Sequence, residues 1–432
     1  MTRKSFLFTV WEGGGNIPPV LSVTVKLKRA GHHIRIMSDA CNRPEVEAAG
    51  AAFIAWTRAP SRPDKLPQSD IIRDWDAANP VEGLGRVFER IMFGPAAAYA
   101  ADVLEEIARQ RPDAIIPNDM HFGVMAAAEA SRIPFALFCP NVSLYPMEDV
   151  PPLGPGLVPP CNEDERRLHA EIAAGNSALF NQGLPALNAA RAGLGLAPLG
   201  HVFDQIEGAA GILLGTARAF DFAPAALPPR FHYVGPQFHD PSPDEAWRSP
   251  FRAEDGADPL VLLSFSTTFQ NQAAALQRVI TALGALPVRL LVTLGPALTA
   301  DRFQVPVNTR LVAHAPHGKA MAEAAAVIAH GGHGTVIRAL AQDCPLLVMP
   351  HGRDQNDNAA RVASRGAGLM LDPATASAAE IGAAVMGLIT QPAFAKSAAA
   401  LGAQIRAEAE ASQIVDLLEA VAQPSGSAQA AA

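Results

Sequence analysis

Apolar positions along the first part of the chain follow two alternating patterns. Short apolar runs at residues 5–10 and 33–38 are typical of buried parallel strands. Between them, apolar residues recur at helical spacing over residues 19–30, and Gly31 follows where glycine commonly ends a helix. Strands that alternate with helices in this way predict a parallel sheet with crossover helices.

The alternation continues along the chain with one interruption. Further strands are predicted at residues 51–56, 114–117, 134–138, 212–215 and 231–236, and helices over 44–49, 81–110, 122–131 and 162–194. Residues 237–259 are polar, rich in proline and without periodicity, which is typical of a linker. After it, the pattern predicts strands at 260–265, 289–294, 310–313, 326–329 and 346–349, and helices over 270–283, 335–342, 355–365 and 377–421.

This organisation predicts an α/β fold of two Rossmann-like, doubly wound domains that face each other across a cleft. The predicted parts are an N-terminal domain over residues 1–236, the linker 237–259, a C-terminal domain over 260–395, a C-terminal helix over 396–422 that packs back towards the first domain, and a disordered tail over 423–432.

Composition narrows the class of protein. The 432-residue chain has a net charge of −8, which argues against a nucleic-acid-binding surface. Its four cysteines are far apart in sequence, so they form neither a disulfide framework nor a zinc motif. The N-terminal apolar run is too short for a signal peptide. The sequence contains no run of about 18 apolar residues, so no membrane-spanning helix is predicted. We expect a cytoplasmic protein with no nucleic-acid partner.

A glycine-rich turn carries the strongest chemical signal. The strand at 326–329 is followed by His330, then by the turn 331–334, and a helix begins near Thr335. Free backbone amides and the positive end of the helix dipole make such a turn an anion site, and glycine lets a diphosphate approach the backbone. The turn is not a P-loop, because no Gly-Lys-Ser/Thr follows, and its glycine spacing differs from the dinucleotide fingerprint. The alternative is a tight turn that binds nothing.

Three polar residues follow the next predicted strand. Asp354, Gln355 and Asn358 should lie at the same edge of the sheet as the glycine turn. A carboxylate beside amides suits adjacent sugar hydroxyls, because carboxylates accept hydrogen bonds and amides both donate and accept. Helix capping by Asp354 is the alternative, and the two roles are compatible.

These motifs together resemble the signature of family 1 glycosyltransferases, the UDP-glycosyltransferase superfamily, and more closely its bacterial natural-product and macrolide members. The matching segments are 330–335, 339–340, 345–350, 354–355 and 358–359, with further likeness in "PLVLLSFSTTFQ", "LNAARAGLGL" and "HYVGP". The resemblance covers nearly the whole chain. It implies a GT-B fold, an inverting sugar transfer and no catalytic metal.

The resemblance also implies roles for individual residues on the donor side. The donor diphosphate would contact His330, Gly332, His333, Gly334, Thr335, Ser266 and Thr267. The nucleobase would contact His314, Ala315 and His317, and the transferred sugar Asp354, Gln355 and Asn358. Arg338 stands where many users of UDP-sugars carry a ribose-binding glutamate, so UDP and dTDP both remain open as nucleotides.

The chain departs from the family at the catalytic base. The first turn of the family has the pattern Gly-His-x-x-Pro, whereas this chain has Gly15, Asn16, Ile17, Pro18 and Pro19. An amide cannot accept a proton at neutral pH, although it can orient an acceptor or a water molecule. The usual base is therefore missing.

Two residues after the strand at 114–117 are candidate replacements. Asp119 occupies the place of the carboxylate that orients the family histidine, and burial would raise its pKa towards neutrality. His121 has a better intrinsic pKa. The alternatives are helix capping for Asp119 and packing for His121, and Glu12 is a third candidate base.

A weaker base is sufficient for an acidic acceptor such as a phenol, which loses its proton more readily than an alcohol. Attack by a carbon atom of an electron-rich aromatic ring is the alternative. We expect an aromatic or polyketide-like acceptor, O- or C-linked, in a pocket that includes Gly15, Trp56, Trp75 and Asn141. The Asp-x-Asp sequence at 74–76 resembles a metal motif of another glycosyltransferase fold. Because it lies far from the donor motifs, we interpret it as a chance occurrence and expect no metal.

Three functions are compared. The first is an inverting glycosyltransferase that uses a UDP- or dTDP-sugar as co-substrate, without another cofactor, and acts as a monomer or homodimer. The second is a catalytically weakened homologue that binds nucleotide-sugar or serves as an auxiliary partner, suggested by Asn16. The third is an epimerase or phosphorylase, which would need an acidic catalytic pair or a cofactor lysine that the motifs do not contain.

Overall fold

The structure is a computed structural model that describes residues 2–239, 247–265 and 269–423. Two residues predicted to contact the diphosphate, Ser266 and Thr267, lie outside the described residues, as does the predicted tail from residue 424 onwards.

Parallel strands form the centre of the first lobe. They are β1 (Ser5–Thr9), β2 (His33–Ser38), β3 (Ala52–Ala55), β4 (Ala114–Pro117), β5 (Ala136–Cys139), β6 (Gly211–Leu214) and β7 (Phe231–Tyr233). The strand order is β3-β2-β1-β4 in one sheet and β5-β6-β7 in the next. Parallel bridges from Ile115 to Phe135 and from Asn118 to Phe138 join the two sheets into one surface. The apolar runs are buried because helices cover both faces of the sheet.

Helices connect these strands, as the alternation predicts. They are α1 (Ile17–Arg29), α2 (Arg43–Ala48), α3 (Pro80–Val87), α4 (Ala96–Arg109), α5 (Phe122–Ala130), α6 (Glu163–Phe180) and α7 (Leu184–Gly193). The prediction of one helix over residues 81–110 is wrong. A π-helical turn, Phe88–Met92, and Pro95 separate α3 from α4. Proline lacks the N–H that a continuous helix needs at that position, so the helix restarts there.

A second parallel sheet forms the other lobe. Its strands are β8 (Leu260–Ser264), β9 (Arg289–Thr293), β10 (Thr309–Val312), β11 (Ala326–Ala329), β12 (Leu346–Val348) and β13 (Gly368–Met370), in the order β10-β9-β8-β11-β12-β13. The sequence pattern missed β13, because three residues are too few to show a period. The helices are α8 (Ala273–Leu283), α9 (His317–Ala322), α10 (His333–Ala341), α11 (Gln355–Ser364), α12 (Ala378–Thr390), α13 (Pro392–Glu410) and α14 (Ile414–Val421).

The last helix packs on the first lobe. Ile414 and Leu418 of α14 are buried in the same apolar cluster as Ile17 and Val20 of α1. Because Ser412 also donates to the carbonyl of Val234, the end of the described chain is attached to the first lobe by both polar and apolar contacts. The exact domain bounds stay a prediction.

Buried polar contacts join the two lobes. Arg361 of α11 pairs with Asp221 of the first lobe at 2.8 Å. Asp357 accepts hydrogen bonds from the backbone of Gly154 and Gly156 at 2.8 and 3.1 Å. These contacts hold the carboxyl ends of β1 and β4 opposite those of β11 and β12, which places the predicted site residues around one cleft.

Within the described residues, no single helix combines the length and apolar composition needed to cross a bilayer. One bent pair, Ala378–Thr390 with Pro392–Val421, is long and apolar enough by length and composition alone.

Candidate active site

The glycine turn has the geometry of an anion site. Gly331 has φ +99°, and a Cβ there would lie 2.8 Å from Val348 Cγ1 and 2.9 Å from the carbonyl oxygen of Gln355, so only glycine fits. A Cβ at Gly334 would meet nothing within 4 Å, so the outer side of the turn is open. Since α10 begins here without a side-chain cap, its first N–H groups can bind an anion.

His330 lies beside this turn, and a side chain at Gly332 would collide with its imidazole. The imidazole is 8% exposed, and burial lowers its pKa to about 3. With its pKa lowered in this way, the imidazole is neutral at pH 7. His330 can therefore serve a diphosphate by hydrogen bonding and not by charge.

His333 points away from the turn. Its Nε2 is 2.8 Å from Thr216 Oγ1, and its ring packs against Phe220 of the first lobe. The prediction assigns the diphosphate to the backbone of this turn, and the imidazole takes no part in it because it is buried between the lobes. The backbone N–H of residue 333 still belongs to the open first turn of α10.

Residues of the predicted nucleobase turn differ in exposure. His314 is exposed, as a stacking residue needs to be, whereas the Ala315 side chain is buried. His317 Nε2 lies 3.2 Å from Ser264 Oγ at the end of β8, and Thr293 donates to the same hydroxyl at 2.9 Å. His317 therefore belongs to a row of hydrogen-bonded polar side chains at the carboxyl ends of β8 and β9.

The predicted sugar-binding residues do not all face the cleft. Asn358 is fully buried and donates from Nδ2 to Asp354 Oδ2 and to the carbonyl of Gly331, both at 2.9 Å. Gln355 is 2% exposed, donates to Gln270 at 2.9 Å and accepts from the backbone of His351 at 2.6 Å. Each end of the Gln355 amide already bonds one protein group, and its contact with the sugar stays a prediction.

Asn16 and its neighbours come together at the opposite side of the cleft. Asn141 donates from Nδ2 to Asn16 Oδ1 at 3.1 Å, and a Cβ at Gly15 would lie 3.8 Å from Asn141 Oδ1. Asn16 precedes α1 but makes no capping bond. Because it does not cap the helix, its amide can serve another purpose.

Asp119 is buried in the cleft and is 4% exposed. Burial raises its pKa to about 7, with a smaller contribution from the negative charge of Asp354 in the other lobe. Tyr145 donates its hydroxyl to the backbone carbonyl of Asp119 at 2.7 Å, which fixes the position of the loop. A carboxylate with a pKa near the working pH is suited to accept a proton.

His121 is unsuitable as the base. Its ring is fully buried against Trp56 and Tyr99, and Nδ1 lies 2.9 Å from Thr9 Oγ1. Burial lowers its pKa to about 3. The structure therefore favours the packing interpretation of His121. Trp56 packs against the same ring and is 4% exposed, and its place in the acceptor pocket stays a prediction.

The contacts of some residues around the cleft were not predicted from the sequence. Asp74 forms an ion pair with Arg353, although the two are 279 residues apart. Trp75, predicted to line the acceptor pocket, instead contacts Phe269 of the second lobe. Trp11 packs with Ile72 and Ile91, and its buried Nε1 has no hydrogen-bond partner in the described part of the chain. Trp11 lies at the end of the apolar run that precedes the glycines 13–15, and this position could have indicated from the sequence that it lies near the first turn.

A separate cavity of about 750 Å³ between residues 218–225 and α13 contains none of the predicted donor residues. Its two arginines donate to backbone carbonyls, Arg218 to Pro224 and Arg365 to Ala219. We give this cavity no part in the site, because its charged groups already have partners.

Two doubly wound lobes that face each other across a cleft are the architecture of a GT-B glycosyltransferase. Solved structures have the same fold: the calicheamicin glycosyltransferase CalG4 aligns over 98% of both chains with a TM-score of 0.75 at 20% identity. The glycosyltransferase VinC, solved in complex with dTDP, aligns over 97% of this chain and 99% of its own, with a TM-score of 0.67 at 18% identity.

Sequence comparisons define the chain further. Residues 277–421 match the family described as erythromycin biosynthesis protein CIII-like, C-terminal domain. The 4'-demethylrebeccamycin synthase of Lentzea aerocolonigenes is 26% identical over 96% of this chain and 98% of its own. The resemblance is confirmed: the protein is a nucleotide-sugar-dependent glycosyltransferase, homologous to bacterial enzymes that attach sugars to natural products. The roles of individual site residues stay predictions.

Proposed function

We propose that the protein transfers a sugar from a UDP- or dTDP-sugar to a phenolic or polyketide-like aromatic acceptor, with inversion at the anomeric carbon. The observation that carries this proposal is the position of Asp119. It is a buried carboxylate with a pKa of about 7, in the cleft opposite Asp354. The chain has Asn16 at the position where the resemblance to family 1 glycosyltransferases implies a basic histidine.

The donor is held from the second lobe. The amides that open α10 receive the diphosphate, with His330 as a neutral hydrogen-bonding neighbour. Exposed His314 stacks on the nucleobase. Asp354 accepts hydrogen bonds from the transferred sugar, while Asn358 orients its carboxylate. The dTDP bound by VinC favours testing dTDP-sugars alongside UDP-sugars.

The acceptor is held from the first lobe. Trp11 is buried with Ile72 and Ile91 in one apolar cluster, and its Nε1 has no partner among the described residues, so it can donate to an oxygen of an acceptor that inserts there. An apolar cluster with one polar group suits a flat apolar molecule with few polar groups. Asn16, held by Asn141, orients the reacting hydroxyl.

The reaction is a direct displacement. Asp119 takes the proton from the acceptor as its oxygen, or a ring carbon, forms the bond to the anomeric carbon. The bond from that carbon to the diphosphate breaks at the same time, and the negative charge moves onto the diphosphate. The start of α10 stabilises this charge, since its N–H groups point at the leaving group. No step in this scheme requires a metal.

Turnover with purified protein tests the proposal. UDP, dTDP and their sugars are first ranked by calorimetry, and the best donor is then incubated with phenolic acceptors with and without a metal chelator. We expect transfer that the chelator does not reduce. Binding of nucleotide-sugar without transfer to any acceptor would instead support the auxiliary partner suggested by Asn16, and no binding at all would overturn both functions.

A further inference from the structure

An ion pair connects the first lobe to the donor loop of the second. Asp74 lies in the short turn Asp74–Asp76, and Arg353 directly precedes Asp354. The guanidinium contacts both carboxylate oxygens, Nε to Oδ2 at 2.6 Å and a terminal nitrogen to Oδ1 at 3.2 Å. The two side chains are only 16% and 24% exposed. A two-bond contact of this kind sets direction as well as distance.

The turn that carries Asp74 is fixed on its own lobe. Arg86 of α3 donates to the carbonyls of Arg73 and Asp76 at 2.7 and 3.1 Å. Arg90 donates to the carbonyl of Ile71 at 3.0 Å. Asp74 is therefore presented to the second lobe by a supported turn.

Unusual backbone conformations occur on both sides of this ion pair. Arg353 has φ +57° and Arg73, next to Asp74, has φ +50°, in the left-handed region that residues other than glycine seldom adopt. Such conformations persist where the surroundings hold them, and they cluster at ligand clamps. Both strained residues adjoin one inter-lobe contact.

A second contact lies next to the ion pair. The rings of Trp75 and Phe269 meet edge to face, with centroids 5.1 Å apart. Phe269 is followed by Gln270, which accepts the hydrogen bond from Gln355. Two consecutive residues of the first lobe thus contact both segments that flank the predicted sugar site.

We propose that Asp74 is a positioning residue for sugar transfer: by engaging the Arg353 guanidinium in a two-bond ion pair, it keeps that guanidinium from hydrogen bonding to the neighbouring Asp354, whose carboxylate stays available to the hydroxyls of the transferred sugar. The proposal rests on the sugar-binding role of Asp354 given above. Without Asp74, the nearby Arg353 guanidinium would be attracted to Asp354 and would compete with the sugar. Because Asp74 belongs to the first lobe and Asp354 to the second, the part of the donor site that binds the sugar is complete only when the two lobes are in contact.

The variant Asp74→Asn keeps the size of the side chain and removes its charge. We expect kcat/KM for the donor to fall about 10- to 100-fold, since small misplacement of a positioning group costs up to about that factor. The affinity for the free nucleoside diphosphate, which lacks the sugar, should stay within about twofold. Asp74→Glu keeps the carboxylate and should recover most of the activity.

Asp76→Asn is the matched control, because Asp76 lies in the same turn but its ion pair with Arg73 is exposed, at 2.8 Å. Equal kcat/KM for Asp74→Asn and Asp76→Asn would overturn the proposal, and so would an equal loss of affinity for nucleotide-sugar and free diphosphate. Should the wild-type protein bind donors but transfer nothing, the proposed function fails by itself, and the two affinities still test Asp74.

Discussion

Asn358 donates from Nδ2 to the carbonyl oxygen of Gly331 at 2.9 Å and thereby ties the glycine turn to α11. The same nitrogen contacts Asp354, and the other amide atom, Oδ1, is buried with no partner among the residues that the structure describes. One fully buried side chain therefore positions both the predicted diphosphate turn and the predicted sugar carboxylate.

Replacing this residue should affect donor binding and stability together. We expect Asn358→Ala to destabilise the protein by about 1–3 kcal/mol, because a buried carbonyl loses its partner. The affinity for nucleoside diphosphate should fall about tenfold as the turn loosens. Thermal unfolding and calorimetry measure the two effects. Asn356→Ala on the same helix is the control, since Asn356 is half-buried and its side chain donates to the carbonyl of Gly154 at 3.3 Å and not to the glycine turn. Equal losses in both variants would refute the link.

Asp119 should control the rate of transfer. Asp119→Asn keeps the shape of the side chain but cannot accept a proton, so we expect kcat to fall by about 10²–10⁴. The affinity for nucleoside diphosphate should not change, because the diphosphate site is on the other lobe. His121→Gln is the comparison, and we expect it to lower stability while retaining the pH profile; full activity in Asp119→Asn would remove this residue as the base.

The pH dependence of the wild-type enzyme should report the same group. A base works in its deprotonated form, and the pKa of Asp119 is about 7. We therefore expect kcat/KM for an acceptor to rise with pH and to level off above about pH 7. A rate that is constant from pH 5 to pH 9 would contradict the assignment.

Stability should show the opposite trend. The pKa of Asp119 is about 7 in the folded protein and near 4 when unfolded, so between these values the folded state binds more protons. The contribution of this carboxyl to stability is present below about pH 4 and is lost as the pH rises towards about 7. We expect Asp119→Asn to be more stable than wild type at pH 8 by a few kcal/mol, since one pKa unit is about 1.4 kcal/mol, and equally stable at pH 4. Denaturant unfolding at the two pH values measures the difference, and the same difference at both would argue against the raised pKa.

Asn16 should act on the acceptor and not on the proton. We expect Asn16→Ala to raise the acceptor KM about tenfold, the value of one hydrogen bond, without moving the pH midpoint, because an amide does not titrate. Asn141→Ala should have a similar effect, and the double variant should add little, since the two side chains bond each other at 3.1 Å. A shift of the pH midpoint in Asn16→Ala would assign Asn16 a different role.

Local patterns were enough to predict several parts of this molecule. The strand–helix alternation predicted two parallel α/β lobes, and the glycines at 331–334 predicted the turn that opens α10, because backbone conformation at Gly331 depends on residue type. The motif spacing predicted the class of enzyme. The loss of histidine at Asn16 directed attention to Asp119, where burial does raise the pKa.

Only the tertiary structure decided where side chains point and which partners they meet. His121, His333 and Gln355 each have suitable chemistry in the sequence, yet burial against distant residues commits them to packing or to internal hydrogen bonds. The pair of Asp74 with Arg353 joins residues 279 positions apart, and local periodicity carries no information about such a contact. Sequence patterns describe the neighbourhood of a residue along the chain, whereas desolvation and charge pairing depend on its neighbours in space.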